Sequence, residues 1–215
     1  MQWAVSATVL ALVGAAVASG DEEHTWRLGK DDAGKLPAGW KADSAGSGTG
    51  SLWKVVEDDT APSRAGYVLA QTAASPKAFI SLCVADETLY RDVGVSVLLK
   101  AVRGTIHRGG GVVWRYQDNQ NYYLARVDFR EDSFCVYKVV KGRCIELASK
   151  DDPKVPEEEW HTLKVEMSGD HIACSLDATE QLDVRDSSLC AAGQAGLWTK
   201  GDARTYFDDF RARSR

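Results

Sequence analysis

The sequence predicts an all-β protein, a sandwich or a barrel. Short apolar or alternating runs recur along the chain with turn residues between them, and the runs are enriched in Val, Tyr, Phe and Trp. Long helical periodicity is absent. With 215 residues, 44% hydrophobic and 27% charged, the composition is ordinary for a globular protein and too short for two large domains, so one domain is expected.

The first stretch, MQWAVSATVLALVGAAVASG, has no charged side chain and is apolar from Trp3 to Ala18, ending in small residues. It resembles a signal peptide cleaved near Ala18 to Gly20, although no Lys or Arg precedes the apolar run. The competing reading is a membrane anchor, for which the run falls short of the ~20 residues a spanning helix needs. The expected organisation is a leader over residues 1–20 and a single domain over residues 21–215, secreted or periplasmic. No other segment is apolar enough to cross a membrane.

After the leader come Trp26 and Trp40, then a Gly-rich piece from Ala42 to Ser51 that reads as a surface loop within the domain. Strand candidates follow in order: SLWKVVED, GYVLAQT, AFISLCVAD, DVGVSVLLKAV, GVVWRYQ, YYLARVDF, FCVYKVV, CIELAS, WHTLKVEM, HIACSL, AGLWTK and TYFDDFRA. The net charge is -5 with both signs interspersed, so no basic stripe marks a nucleic-acid partner. The closing RARSR reads as a solvated tail. None of Cys83, Cys135, Cys144, Cys174 and Cys190 lies in a Cys-x-x-Cys pair, which argues against a zinc or redox motif.

The stretch from Arg108 to Phe129 sets charged groups among core-like residues. Asp118 to Asn121 is turn chemistry, and an even loop centred on Asn119 and Gln120 pairs Tyr116 with Tyr123, Trp114 with Ala125 and Val112 with Val127. One face of the hairpin then holds Val112, Trp114, Tyr116, Tyr123, Ala125, Val127 and Phe129 and is expected to be core.

Continuing the parity pairs Phe129 with Phe134, Arg126 with Tyr137 and Tyr137 with Glu146, and it puts Lys138 on the core side opposite Ala125, tolerable only near an edge. The opposite surface carries Arg115, Tyr122, Arg126, Asp128, Tyr137 and Glu146. Cys135 and Cys144 share a face on the order of 13 Å apart, too far for a disulfide. Such a surface is either the wet side of an antiparallel sheet or a ligand platform, since guanidinium and carboxylate groups beside aromatic rings suit a sugar.

The runs GGGVVWRYQDNQNYYLARVDFREDSFCVYKVVKGR, EEEWHTLKVEMSGDHIACSLDATEQLDVRD and GQAGLWTKGDARTYFDDFRA resemble the bacterial 3-keto-disaccharide hydrolase-like domain, also called the 3-keto-glucoside lyase/hydratase domain. The likeness covers roughly residues 51 to 213. It implies a two-sheet antiparallel jelly-roll sandwich of the concanavalin and laminin G type, exported and directed at carbohydrate or a small glycoside. Some members act on glycosides oxidised at sugar C3, where a base with a divalent metal or cationic groups stabilises an enolate. Gly109 to Gly111 depart from the polar segment expected before the first arginine. The Glu-x-Asp-x-x-Glu spacing of retaining glucanases is absent, which disfavours that chemistry.

Among the four histidines, His161 and His171 read as structural, and His107, beside the glycines, is the one candidate base; Asp128 is the other weak catalytic candidate. Trp198, Lys200 and Asp202 alternate at a strand end, either rimming the sugar surface or serving as core and loop. In related jelly rolls an aspartate of the last strand helps to hold a structural calcium, which makes Asp208 the candidate ligand here.

Overall fold

Alternation along the chain becomes two stacked antiparallel sheets in a computed structural model, which describes residues 23–151 and 156–215. The leader expected over residues 1–20 lies outside the described residues. Strands β1 (His24–Thr25), β2 (Trp40–Ala45), β3 (Trp53–Glu57), β4 (Tyr67–Gln71) and β5 (Ile80–Ala85) come first. Next are β6 (Val93–Arg103), β7 (Gly109–Asp118), β8 (Asn121–Asp128), β9 (Ser133–Val140) and β10 (Arg143–Asp151). The chain closes with β11 (His161–Ser168), β12 (His171–Leu176), β13 (Thr179–Arg185), β14 (Gln194–Lys200) and β15 (Arg204–Ser214).

The first sheet runs β13-β12-β11-β6-β15-β4-β3, with β1 on β15, and the second runs β10-β9-β8-β7-β14-β5-β2. Non-sequential neighbours in both sheets are the crossovers of a jelly roll. The core between them is built by alternation: Val93, Val95, Val97, Leu99 and Ala101 of β6 and Leu163, Val165 and Met167 of β11 face Val112, Trp114, Tyr123, Ala125 and Val136 of the second sheet. No helix among the described residues is long and apolar enough to cross a membrane.

All twelve expected runs form strands. Of the three further strands, β1 is two residues long, and two carry little β-propensity: β2, which takes the expected loop as strand through Ala45, and β13, TEQLDVR. Both lie at sheet edges, and β2 is held by its ladder with β5 rather than by side-chain preference.

The hairpin turn falls where expected, with Asp118 opposite Asn121, but a bulge between Trp114 and Asp118 slides the pairing by two residues. Trp114 faces Tyr123 and Val112 faces Ala125, so the inward set keeps its parity. The same two-residue slip carries into β9, where Leu124 faces Tyr137 and Arg126 faces Cys135. Glu146 faces Tyr137 as expected.

The bulge corrects two assignments. Tyr116 leaves the core and joins the outer face of the second sheet, in a cluster with Leu82, Tyr122 and Trp198. Arg115, at φ 45°, turns to the end of the sandwich, 2% exposed, and donates to the carbonyls of Arg91, Leu189 and Gly169 at 2.6, 2.8 and 2.8 Å and to Asp92 Oδ1 at 3.3 Å. Bulges re-aim side chains in this way. Gly193 permits it, because a Cβ there would sit 2.4 Å from the Arg115 carbonyl carbon.

Candidate functional site

Alternation places Tyr122, Leu124, Arg126 and Asp128 of β8 on the outer face of the second sheet, beside Cys135, Tyr137 and Val139 of β9. Across the sheet, Arg126 pairs with Gly111 and Gly111 with Trp198, so no side chain stands between the arginine and the tryptophan in that row. A Cβ on Gly111 would lie 2.2 Å from the Ala125 carbonyl oxygen, which makes glycine obligatory. Glycine at this position is thus what the sheet needs here.

Arg126 is the centre of this region. Its Nη1 donates to Asp128 Oδ2 at 3.2 Å, its Nη2 to Glu131 Oε2 at 2.7 Å and to the Tyr137 hydroxyl at 3.3 Å, and the guanidinium lies 5.5 Å from the Tyr137 ring centroid. Burial works against the charge, but Glu131 and Tyr137 outweigh it and hold the guanidinium protonated. The ion pair with Arg126 correspondingly holds the Glu131 carboxyl below its usual range.

Asp128 is buried beneath. Its Oδ1 accepts from the backbone N–H groups of Arg108, Arg130 and Glu131, and its Oδ2 faces His107 Nδ1 at 3.2 Å. His107 Nε2 is buried with no partner among the described residues. The loop carrying His107 is pinned by Asp202, which accepts from the backbone N–H groups of Thr105, Ile106 and His107. Burial opposes ionisation of Asp202, yet these N–H groups hold its carboxyl well below the usual range.

Asp202 is therefore a loop anchor and not a partner of Trp198 and Lys200. Trp198 lies in the floor with its Nε1 beside the Tyr122 hydroxyl, and the Lys200 ammonium makes no ion pair with the described residues. Tyr122 is also floor, fully buried, while Glu146 is exposed at the β10 edge.

His107, Asp128 and Glu131 are the grouping of metal-type ligands among the described residues, with ligand atoms within 4.8 Å. The arrangement is that of an ion-pair network, since Arg126 bridges both carboxylates and Asp128 has five donors around it. A cation would have to displace the guanidinium, so the residues do not fit a metal as they stand. At Asp208 the carboxylate accepts from the Ser63 and Asp209 N–H groups, at 2.8 and 2.9 Å. His161 is bonded on both ring nitrogens, to Asp177 and to the Pro156 carbonyl, as a structural histidine would be. All five cysteines are free, so Cys135 and Cys144 are unbridged as expected.

The hairpin tip adds a wall. Beyond the bulge, the Tyr116 hydroxyl donates to Asp43 at 2.5 Å and the Asn119 amide to the Ser44 carbonyl at 2.8 Å, so the tip reaches β2. Sequence reasoning takes Asn119 only as a turn residue and Gly111 only as a departure from the expected pattern, and it passes over Glu131, an acid in the turn that returns β8 to β9.

No protein-family profile and no curated protein matches the sequence. Solved structures do match the fold. A carbohydrate-binding module, CBM66, from Bacillus subtilis is 22% identical with a TM-score of 0.65, over 82% of this chain and 96% of that one. A Bacillus subtilis protein of unknown function with a galectin-like fold is 11% identical with a TM-score of 0.59, over 81% and 88%. The GH43 protein BlXynB from Bacillus licheniformis gives 16% identity and 0.55 over 86% of this chain and 38% of that one. These likenesses establish the jelly-roll fold.

Proposed function

We propose that the chain is an exported carbohydrate-binding domain whose ligand lies on the outer face of the second sheet, contacting Arg126, Tyr137, Lys200 and the Trp198 floor. One observation carries this reading: a guanidinium braced by two carboxylates and stacked on a tyrosine ring, facing a tryptophan across a strand position that can hold only glycine. Paired hydroxyls of a sugar take bidentate bonds from such groups, and an aromatic ring accepts its C–H face. A structural neighbour described as a carbohydrate-binding module supports the same direction.

The test is a glycan array followed by calorimetry. Arg126→Ala is expected to weaken the selected glycan about tenfold or more, as loss of charge-assisted hydrogen bonds does, with the circular dichroism spectrum unchanged. Unchanged affinity removes Arg126 from the site.

A second reading, chemistry on 3-keto-glycosides, is favoured by His107. Nδ1 faces Asp128, and Nε2, although buried, has no partner among the described residues, so it is the atom such chemistry would need to expose as acceptor for a C–H proton made acidic by a neighbouring ketone. Sugar release from a 3-keto-glucoside by the wild type, lost in His107→Gln, supports it. Absence of turnover with retained binding leaves a binding domain.

A further inference from the structure

The outer face holds a second feature beyond the Arg126 cluster. Between the hairpin tip, the end of β2 and the β9–β10 turn lies a cavity of about 390 Å³, lined by Ser44, Asn119, Tyr122, Val139, Gly142 and Cys144 among others. That volume is at the small end of ligand sites. None of its lining residues is charged. Ile80 and Val139 give apolar surface, and the buried Tyr122 hydroxyl has the Trp198 Nε1–H beside it and no acceptor for its own proton among the described residues. A buried donor left without an acceptor costs on the order of 1–3 kcal/mol, which a ligand hydroxyl oxygen would recover.

The cavity and the charged cluster occupy neighbouring rows of the same face: Tyr122 and its partner Val139 line the cavity, and in the next outward row Leu124 pairs with Tyr137, whose hydroxyl accepts from Arg126. Tyr122 and Arg126 stand four residues apart on β8, about 13 Å at strand rise, which is further than one sugar ring reaches. Burial pushes the Tyr122 hydroxyl far above its ordinary range, so it stays a proton donor at any working pH.

We propose that this cavity is a second subsite that takes one uncharged sugar unit of an oligosaccharide whose neighbouring part contacts Lys200 and Arg126. The inference rests on the carbohydrate reading above and deepens it: the preferred ligand is a neutral glycan longer than one ring. The uncharged lining selects against a uronate or sulfated unit in the cavity, because its charge would be desolvated there with no cation in the wall.

Cys144 supplies the test. It is exposed at the cavity, and Cys190 is the other exposed cysteine, so a Cys190→Ser background isolates it. Alkylation of Cys144 by iodoacetamide is followed by mass spectrometry with the neutral glycan selected on the array, its single-ring fragment, or its uronate counterpart. At ten times its Kd the glycan is expected to slow the reaction about tenfold, and the single ring and the uronate much less.

Cys144→Trp, which fills the cavity, is expected to weaken the glycan about tenfold and leave the single ring unchanged. Cys144→Ser, which keeps the room, should bind as the parent does. Arg126-dependent glycan binding with unchanged alkylation, and equal affinity in Cys144→Trp, overturns the subsite and leaves the carbohydrate reading standing. Better protection by the uronate overturns the neutral class. Failure to bind any glycan overturns both readings together.

Discussion

The two outward faces of this sandwich are made from the same kind of antiparallel strand and differ in almost everything else. On the first sheet, Thr162, Lys164, Glu166 and Ser168 alternate outward from buried neighbours, and Glu166 pairs with Lys164, Arg213 and Arg215 at 2.8, 3.1 and 2.7 Å. This is a solvated face whose ion pairs are worth little. On the second sheet, Val113, Tyr122 and Leu124 point away from the sandwich interior and are nevertheless buried, and eight consecutive residues of β7 are buried. A sheet that hides apolar surface on both sides has a use for its second side. The platform proposed above lies on this second sheet, with the first sheet packed behind it.

The comparison breaks most severely at Arg115, the arginine that alternation would assign to the platform. Arg115→Met is expected to cost about 3–5 kcal/mol in urea unfolding, because it orphans acceptors gathered from three distant segments. A loss near zero, with ligand affinity reduced, would return Arg115 to the platform. Leu124→Ala comes next, at about 3 kcal/mol, a core-like penalty for a residue on an outer face. A value near that of surface substitutions would mean the second face is as solvated as the first.

Asp186 sharpens the boundary between faces, since it receives Lys138, which stands on the inward side of β9 opposite Tyr123 and reaches out at the sandwich end. Burial opposes ionisation, but bonds from Lys138, Tyr123 and Ser188 hold its carboxyl down at about 2. Its folded-state value is depressed, so the stabilisation is complete above the unfolded value of roughly 3.9 and is lost as pH falls through the folded one. Acid titration should show about 2 kcal/mol lost between roughly pH 4 and 2, a slope that Asp186→Asn flattens. The smallest effect belongs to the first face: Lys164→Ala should change stability by less than about 0.5 kcal/mol, measured by the same unfolding.

Much of the scaffold was legible in the residues. The twelve alternating runs are strands, the turn at Asn119 and Gln120 is where its chemistry puts it, and Arg126, Asp128, Tyr137 and Glu146 share one face as their spacing requires. Lys138 is on the inward side as expected, but opposite Tyr123 rather than Ala125 and on an interior strand, and it leaves the core by pairing with Asp186. Edge strands β2 and β13 were illegible because ladder hydrogen bonds, not side chains, define them. Within the site, Trp198 and Tyr122 were named as contact residues, but their burial as floor could not be read from alternation. Glu131 brings its carboxylate to Arg126 from a turn, where periodicity carries no information.

What the sequence determined by itself is the inward and outward parity of the strands, because a period of two is written locally and a core punishes any odd slip. What only the tertiary structure decided is the bulge at Arg115 and everything it moves: Tyr116 on the outer face, the guanidinium at the sandwich end, and the hairpin tip bent to β2 to wall the cavity. The bulge is held by Gly193 and by carbonyl groups at Arg91, Gly169 and Leu189. Those partners meet Arg115 only once both sheets are assembled, so no local pattern around the arginine could record them.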